Sequence, residues 1–172
     1  KRGREPPAWL SGCRNICKMW KDNDMSAESA ETNERFVEIT RTEQTVYRAT
    51  NKDGDSVTFG QKPGMFSPVE LLLAGLAGCT SVSVDIVSSR RAEPTVFKVR
   101  ASATKVVEES GANQLEDLHV AFDIQFPEGP EGEQATKMLD RLVALSHDKH
   151  CTVARTIESG PKITTSVNAD KN

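Results

Sequence analysis

Ser67-Pro68-Val69-Glu70-Leu71-Leu72-Leu73-Ala74-Gly75-Leu76-Ala77-Gly78-Cys79-Thr80 starts a helix and then keeps it free of charge. Ser67 suits the N-cap, Pro68 fits the first helical position, and Glu70 three residues on can return a bond to the cap. No charged residue occurs in the 14 residues from Leu71 to Val84. That is too short for a bilayer, and Gly75, Gly78, Thr80 and Ser81 interrupt it, so it reads as a buried core helix. It is expected to run to about Arg90, roughly 24 residues and ~35 Å, with Arg90 and Arg91 suiting its C-terminal dipole and Pro94 ending it. Such a helix needs cover on nearly every side. A sheet on one flank and a second helix or subunit on the other would supply it, and Ala74, Gly75, Ala77 and Gly78 permit close approach.

Upstream, Phe36–Thr50 reads as extended chain, Asn51-Lys52-Asp53-Gly54 as a turn, and Ser56–Phe59 as the return strand of a hairpin. Downstream, Thr95–Val107 and Leu118–Phe126 read as strands around a turn at Glu108–Asn113. In the second, Leu118, Val120, Phe122, Ile124 and Phe126 alternate with mostly polar residues, giving one core face. Glu131–Leu145 is an amphipathic helix with Ala135, Met138, Leu139, Leu142 and Leu145 on one stripe. Cys151–Ile157 and Ile163–Val167 are expected strands, parted by the turn Ser159-Gly160-Pro161. The order β-β-α-β-β-α-β-β predicts an α+β domain with antiparallel sheets around two main helices.

Composition limits the rest. The 172 residues are 37% hydrophobic, enough for one domain with a core. A net charge of −3 gives no reason to expect nucleic acid. Four cysteines are too few for a disulfide scaffold. No signal peptide or membrane span is read, so the expected location is cytoplasmic. Residues 1–34 read as a flexible N-terminal extension, partly an appended leader, with six bases against one acid in 1–21 and five acids without a base in 22–34. The domain proper is then 35–172. Cys13 and Cys17 fall in the extension and lack the further ligands of a zinc site.

Cys79 and Cys151 are the candidates for chemistry. Cys79 lies about three turns into its helix, beyond the dipole's reach, so its activation as a thiolate requires a cation from elsewhere. Cys151 comes directly after His147-Asp148-Lys149-His150. A cysteine–histidine hydrolase would use these groups but lacks an orienting acid and an oxyanion site. A metal held by His119, His147, His150 and Cys151 would need more convergence than His147-x-x-His150 offers. No metal or cofactor is expected. His119, on the polar strand face, reads as exposed, and the capping role accounts for Glu70.

The run from Phe66 to Thr80, continued by Ser81-Val82-Ser83-Val84-Asp85-Ile86-Val87 and joined by the distant His150-Cys151-Thr152-Val153, resembles the OsmC/Ohr superfamily of osmotically induced and organic-hydroperoxide-resistance proteins. The resemblance spans about residues 36–168. It implies an intertwined homodimer with its central helices buried under sheets from both chains. It also implies a two-cysteine peroxidase in which Cys79 attacks a small organic hydroperoxide, Cys151 resolves the product as a disulfide, and an external dithiol resets the pair. Peroxidase members commonly place a glutamate directly after the helix-opening proline, where this chain has Val69, with Glu70 next. They also carry an arginine in the hairpin turn, where this chain has Lys52, and Arg48 in the same hairpin is a substitute. These departures bring the chain closer to the OsmC-like branch. The alternative implied is a non-enzymatic OsmC-like protein that is stress-associated or binds a small molecule.

Overall fold

The computed structural model describes residues 34–168. The expected extension, with Cys13 and Cys17, lies outside them apart from its last residue. The described residues form two compact units, 34–38 with Thr50–Asp55, and Ile39–Ala49 with 56–168. Strands β1 (Val37–Glu43), β2 (Val46–Asn51) and β3 (Ser56–Gly60) form one sheet in sequence order. The single extended segment expected over Phe36–Thr50 is therefore two strands, because the chain turns at Thr45, whose φ is 61°. At the β2–β3 turn the Asn51 side chain accepts from the Asp53 and Asp55 amides, both at 2.9 Å, and Gly54 takes φ 90°. This is the side-chain-closed turn that Asn and Gly favour.

Helix α1 (Pro68–Ser88) carries the expected capping box. Ser67 N–H donates to Glu70 Oε2 at 2.7 Å, and Glu70 N–H donates to Ser67 Oγ at 3.3 Å. Leu76, Thr80, Val84 and Ser88, spaced one turn apart, make its buried stripe. The buried Thr80 hydroxyl is satisfied within the helix, Oγ1 donating to the Leu76 and Ala77 carbonyls, each at 3.0 Å, whereas the Ser83 hydroxyl is buried without a hydrogen-bond partner among the described residues. By length and composition α1 could cross a membrane, yet its buried stripe packs against this chain's own elements. Among the described residues nothing covers the opposite face, and Leu72 is 44%, Val82 59% and Ile86 51% exposed.

Strands β4 (Val96–Val107) and β5 (Asn113–Gln125) form a separate antiparallel pair, in register from Val96 opposite Gln125 to Val107 opposite Asn113. The register shifts between Ser102 and Thr104, and Asp117 on β5 takes φ 53° there, as a bulge requires. Beyond it the predicted alternation holds, with Leu118, Val120, Phe122 and Ile124 half-buried and their neighbours exposed. Helix α2 (Pro130–Leu145) comes next, as expected.

The C-terminal part departs from the sequence reading. A one-turn π-helix covers Ser146–His150, and α3 (Thr152–Ser159) replaces the strand expected over Cys151–Ile157. The β-branched residues there suggested a strand. What prevails is a cap at each end: the Cys151 sulfur accepts from the Ala154 amide, and Gly160 closes the helix in the left-handed region at φ 56°. Ile163–Val167 forms no strand, and Ile163 and Val167 are 87% and 88% exposed. The described architecture is β-β-β-α-β-β-α-α, α+β with antiparallel pairing between β4 and β5.

Candidate functional site: two thiols between α1 and α3

Each cysteine reaches the site by a different device. Cys79 is carried by the long α1 and is half-buried. Cys151 is fully buried and stands at the junction of the π-turn and α3. Its amide donates to the Ser146 carbonyl at 2.8 Å, the five-residue bond that closes the π-turn, and its sulfur accepts from the Ala154 amide at 3.3 Å. The extra residue of a π-turn rotates the next stretch of chain relative to an α-helix. Here that stretch begins with Cys151.

Leu76, Cys151 and Ala154 form a buried cluster, against which Cys79, Leu118, Val120 and Val153 pack. Both cysteines are free thiols. Burial pushes the Cys151 thiol above the ordinary thiol range, and the adjoining Cys79 side chain pushes the same way. The amides of Ala154 and Val153 oppose this but do not overcome it. None of the groups that shift Cys151 is a cation. The site as it stands in one chain holds Cys151 as a protonated thiol in an apolar setting, facing Cys79.

A third residue, not anticipated from sequence, joins the two cysteine-bearing elements. Ser146 is 1% exposed, and its hydroxyl donates to the carbonyl of Thr80 at 2.8 Å, across 66 residues of chain. A signal for its burial was present, because Ser146 continues the stripe of Ala135, Leu139 and Leu142 by one more turn.

The remaining candidates are exposed or bonded to other partners. Glu70 is exposed and bound into the capping box, and its bonds with Ser67 hold its carboxyl below the usual carboxylate range. Arg48 is exposed on β2 and Lys52 is exposed in the β2–β3 turn. Among the described residues neither is in an ion pair. His147 does not face Cys151: its Nε2 lies 3.0 Å from Glu158 Oε1 on α3, and Arg155 holds the other Glu158 oxygen at 3.3 Å. That commits the imidazole to a carboxylate rather than to a thiol. His119 is exposed on β5. Among the described residues no three His, Cys, Asp or Glu side chains are grouped to hold a metal.

Behind the thiols lies a cavity of about 850 Å³ between α1, β5, α2 and α3. Leu76, Leu118, Val120 and Phe122 give it an apolar wall, while Asp140 and Glu158 stand among its polar groups. It shares Leu76 and Ala154 with the thiol cluster, but neither cysteine lines it.

The profile of the family described as OsmC-like protein matches residues 60–166. No curated protein matches the chain in sequence. Among solved structures, the chain is similar to a hypothetical protein of Aquifex aeolicus VF5, with 23% identity and a TM-score of 0.58 over 73% of this chain and 88% of that one. It is also similar to an OsmC-like protein of unknown function from Vibrio cholerae, with 13% identity and a TM-score of 0.56 over 73% of this chain and 94% of that one. At such identities these likenesses concern the fold.

Proposed function

Since the chain belongs to the OsmC-like protein family within the OsmC/Ohr superfamily, we propose that it is a thiol-dependent peroxidase for small organic hydroperoxides. The observation that carries this reading is the buried Cys151 thiol packed directly against Cys79. In the first step the Cys79 thiolate attacks a peroxide oxygen, the O–O bond breaks, and with one proton taken up the products are Cys79 sulfenic acid and an alcohol. In the second, the Cys151 sulfur attacks the Cys79 sulfur, the sulfenic oxygen leaves as water, and a Cys79–Cys151 disulfide forms. An external dithiol then reduces the disulfide, itself becoming oxidised. The expected setting is the cytoplasm, where dithiols are kept reduced.

Two further parts belong to the proposal. The protein works as a homodimer, with the second copy covering the apolar face of α1 at Leu72, Val82 and Ile86. The exposure of that stripe supports this, as do Gly75 and Gly78, where an added Cβ would meet nothing within 4 Å. A cation favours the Cys79 thiolate, and Arg48, exposed on β2 and in no ion pair among the described residues, is the candidate for it.

The deciding experiment reduces the protein anaerobically and adds one equivalent of cumene hydroperoxide, tracking peroxide loss and disulfide formation. Rapid loss with one Cys79–Cys151 disulfide per chain is expected. Inert reduced protein overturns the assignment. The apolar cavity favours a second reading, binding of a small molecule without turnover, whose signature is ligand affinity unchanged in Cys79→Ser.

A further inference from the structure

We infer that Ser146 is a positioning residue for disulfide closure, holding Cys151 in register with the turn of α1 that carries Cys79. The inference rests on the two-cysteine reading and adds to it a residue outside the reacting atoms. Ser146 uses both its polar ends. Its hydroxyl donates to the carbonyl of Thr80, the residue next after Cys79, at 2.8 Å. Its own carbonyl accepts from the Cys151 amide, also at 2.8 Å. The path from one cysteine to the other is thus one peptide unit, a side-chain hydrogen bond, one residue and a backbone hydrogen bond.

The other contacts between these elements differ in kind. Leu76, Ala154 and Val153 attract without direction, so they hold α3 near α1 but leave rotation and sliding soft. A hydrogen bond weakens steeply with angle and distance, and one fixed at a buried site sets both. Disulfide formation is sensitive to this, since sulfur–sulfur bonding tolerates a narrow range of Cα separations and dihedrals. Ser146 is 1% exposed, so water cannot readily take over its role. Neither of its bonds touches a sulfur. The residue therefore acts on closure of the Cys79 sulfenic acid by Cys151, which releases water, and leaves the earlier attack on the organic hydroperoxide alone.

The test compares Ser146→Ala, Ser146→Thr and Ser88→Ala. Ser88 is an equally buried serine of α1 whose hydroxyl bonds only its own helix, to the Asp85 carbonyl at 3.4 Å. Ser88→Ala therefore reports what general loosening of α1 does. Two readouts are needed. Stopped-flow mixing with cumene hydroperoxide separates sulfenic acid formation from closure. Equilibration of the reduced protein with oxidised and reduced dithiothreitol gives the constant for exchanging two protein thiols for one protein disulfide, with no peroxide involved.

In Ser146→Ala, closure is expected to slow about fivefold and the exchange constant to fall by a similar factor, as for loss of one hydrogen bond. Sulfenic acid formation should stay within about twofold, and Ser146→Thr, which keeps the hydroxyl, should recover most of the loss. Unchanged closure and exchange in Ser146→Ala would overturn the inference. So would equal losses in Ser88→Ala, or no recovery in a folded Ser146→Thr. If the wild type exchanges with dithiothreitol but ignores peroxide, the peroxidase reading fails and the positioning role is still decided by the exchange constants. If the wild type forms no Cys79–Cys151 disulfide by either route, both fall.

Discussion

The two cysteine-bearing regions are built on opposite terms. Helix α1 is long, capped by its own neighbours in sequence and uncharged from Leu71 to Val84, so the signals that form it and place Cys79 on it are local, although its buried stripe still needs cover. The segment from Ser146 to Ser159 is a π-turn leading into an eight-residue helix, shorter than an isolated helix can sustain. It exists because α1, β5 and the end of α2 give it something to pack on. One cysteine sits on a helix written by local signals and the other on a segment held in place by tertiary contacts.

The largest expected effect breaks the pair itself. Cys79→Ser should lower peroxide consumption by at least about 10³-fold, as for loss of a nucleophile. Cys151→Ser should consume one equivalent and stop, with the sulfenic acid at Cys79 detectable by dimedone labelling and mass spectrometry. Consumption that continues in Cys79→Ser would transfer the chemistry elsewhere.

Next in size is the contrast between the two faces of α1. Leu76→Ala empties the buried cluster and should cost about 2–5 kcal/mol of stability in chemical denaturation. Leu72→Asp, on the open face, should cost the single chain little but should shift the protein toward monomer in sedimentation velocity. Equal effects of the two on stability, with no change in mass, would remove the argument for a second copy on that face.

A pH series sharpens the difference between the thiols. Burial raises the Cys151 pKa, so in the closure step the rate should climb by up to about tenfold per pH unit through neutral pH, with no plateau below the ordinary thiol value of about 8.5. The same shift has a stability sign. A folded-state pKa above the unfolded value gives stability that is complete below pH about 8.5 and lost as pH rises through the folded value. Thermal midpoints of wild type should therefore fall at alkaline pH more steeply than those of Cys151→Ser. A closure rate that levels near neutral pH would show Cys151 already ionised.

The smallest effect lies at the α1 N-terminus. Ser67→Ala should cost about 1 kcal/mol. Glu70 has a lowered pKa through its bonds to Ser67, so its contribution is present above the unfolded carboxylate value of about 4.3 and disappears as pH falls through the folded one. A loss of peroxidase rate in Glu70→Gln, beyond what stability accounts for, would separate a role in the site from the role in the cap.

The contrast between the regions also marks what could be read from sequence. The capping box, the uncharged core of α1, the alternation in β5 and the stripe of α2 depend on near neighbours, and their signals lie within a few residues of each other. The chain order misled where the local signal was weak. Thr152, Val153, Thr156 and Ile157 favour extended chain taken singly, yet they form α3, because Cys151 and Gly160 cap it and Val153 and Ala154 have a core to meet. The turn at Thr45 carried no glycine or proline to announce it.

The sequence by itself determined that α1 forms, that it needs cover, and that Cys79 rides on it, because caps and periodicity act over one or two turns. The antiparallel pair β4–β5 and the two candidate cysteines came from the same local rules and the family resemblance. Tertiary structure alone decided that Cys151 closes a π-turn, caps a helix and meets Cys79. Those facts depend on a hydrogen bond from Ser146 to Thr80 and on packing against Leu76 and Val120, between groups far apart along the chain. Local propensity carries no information about such meetings, and burial among distant neighbours supplies it.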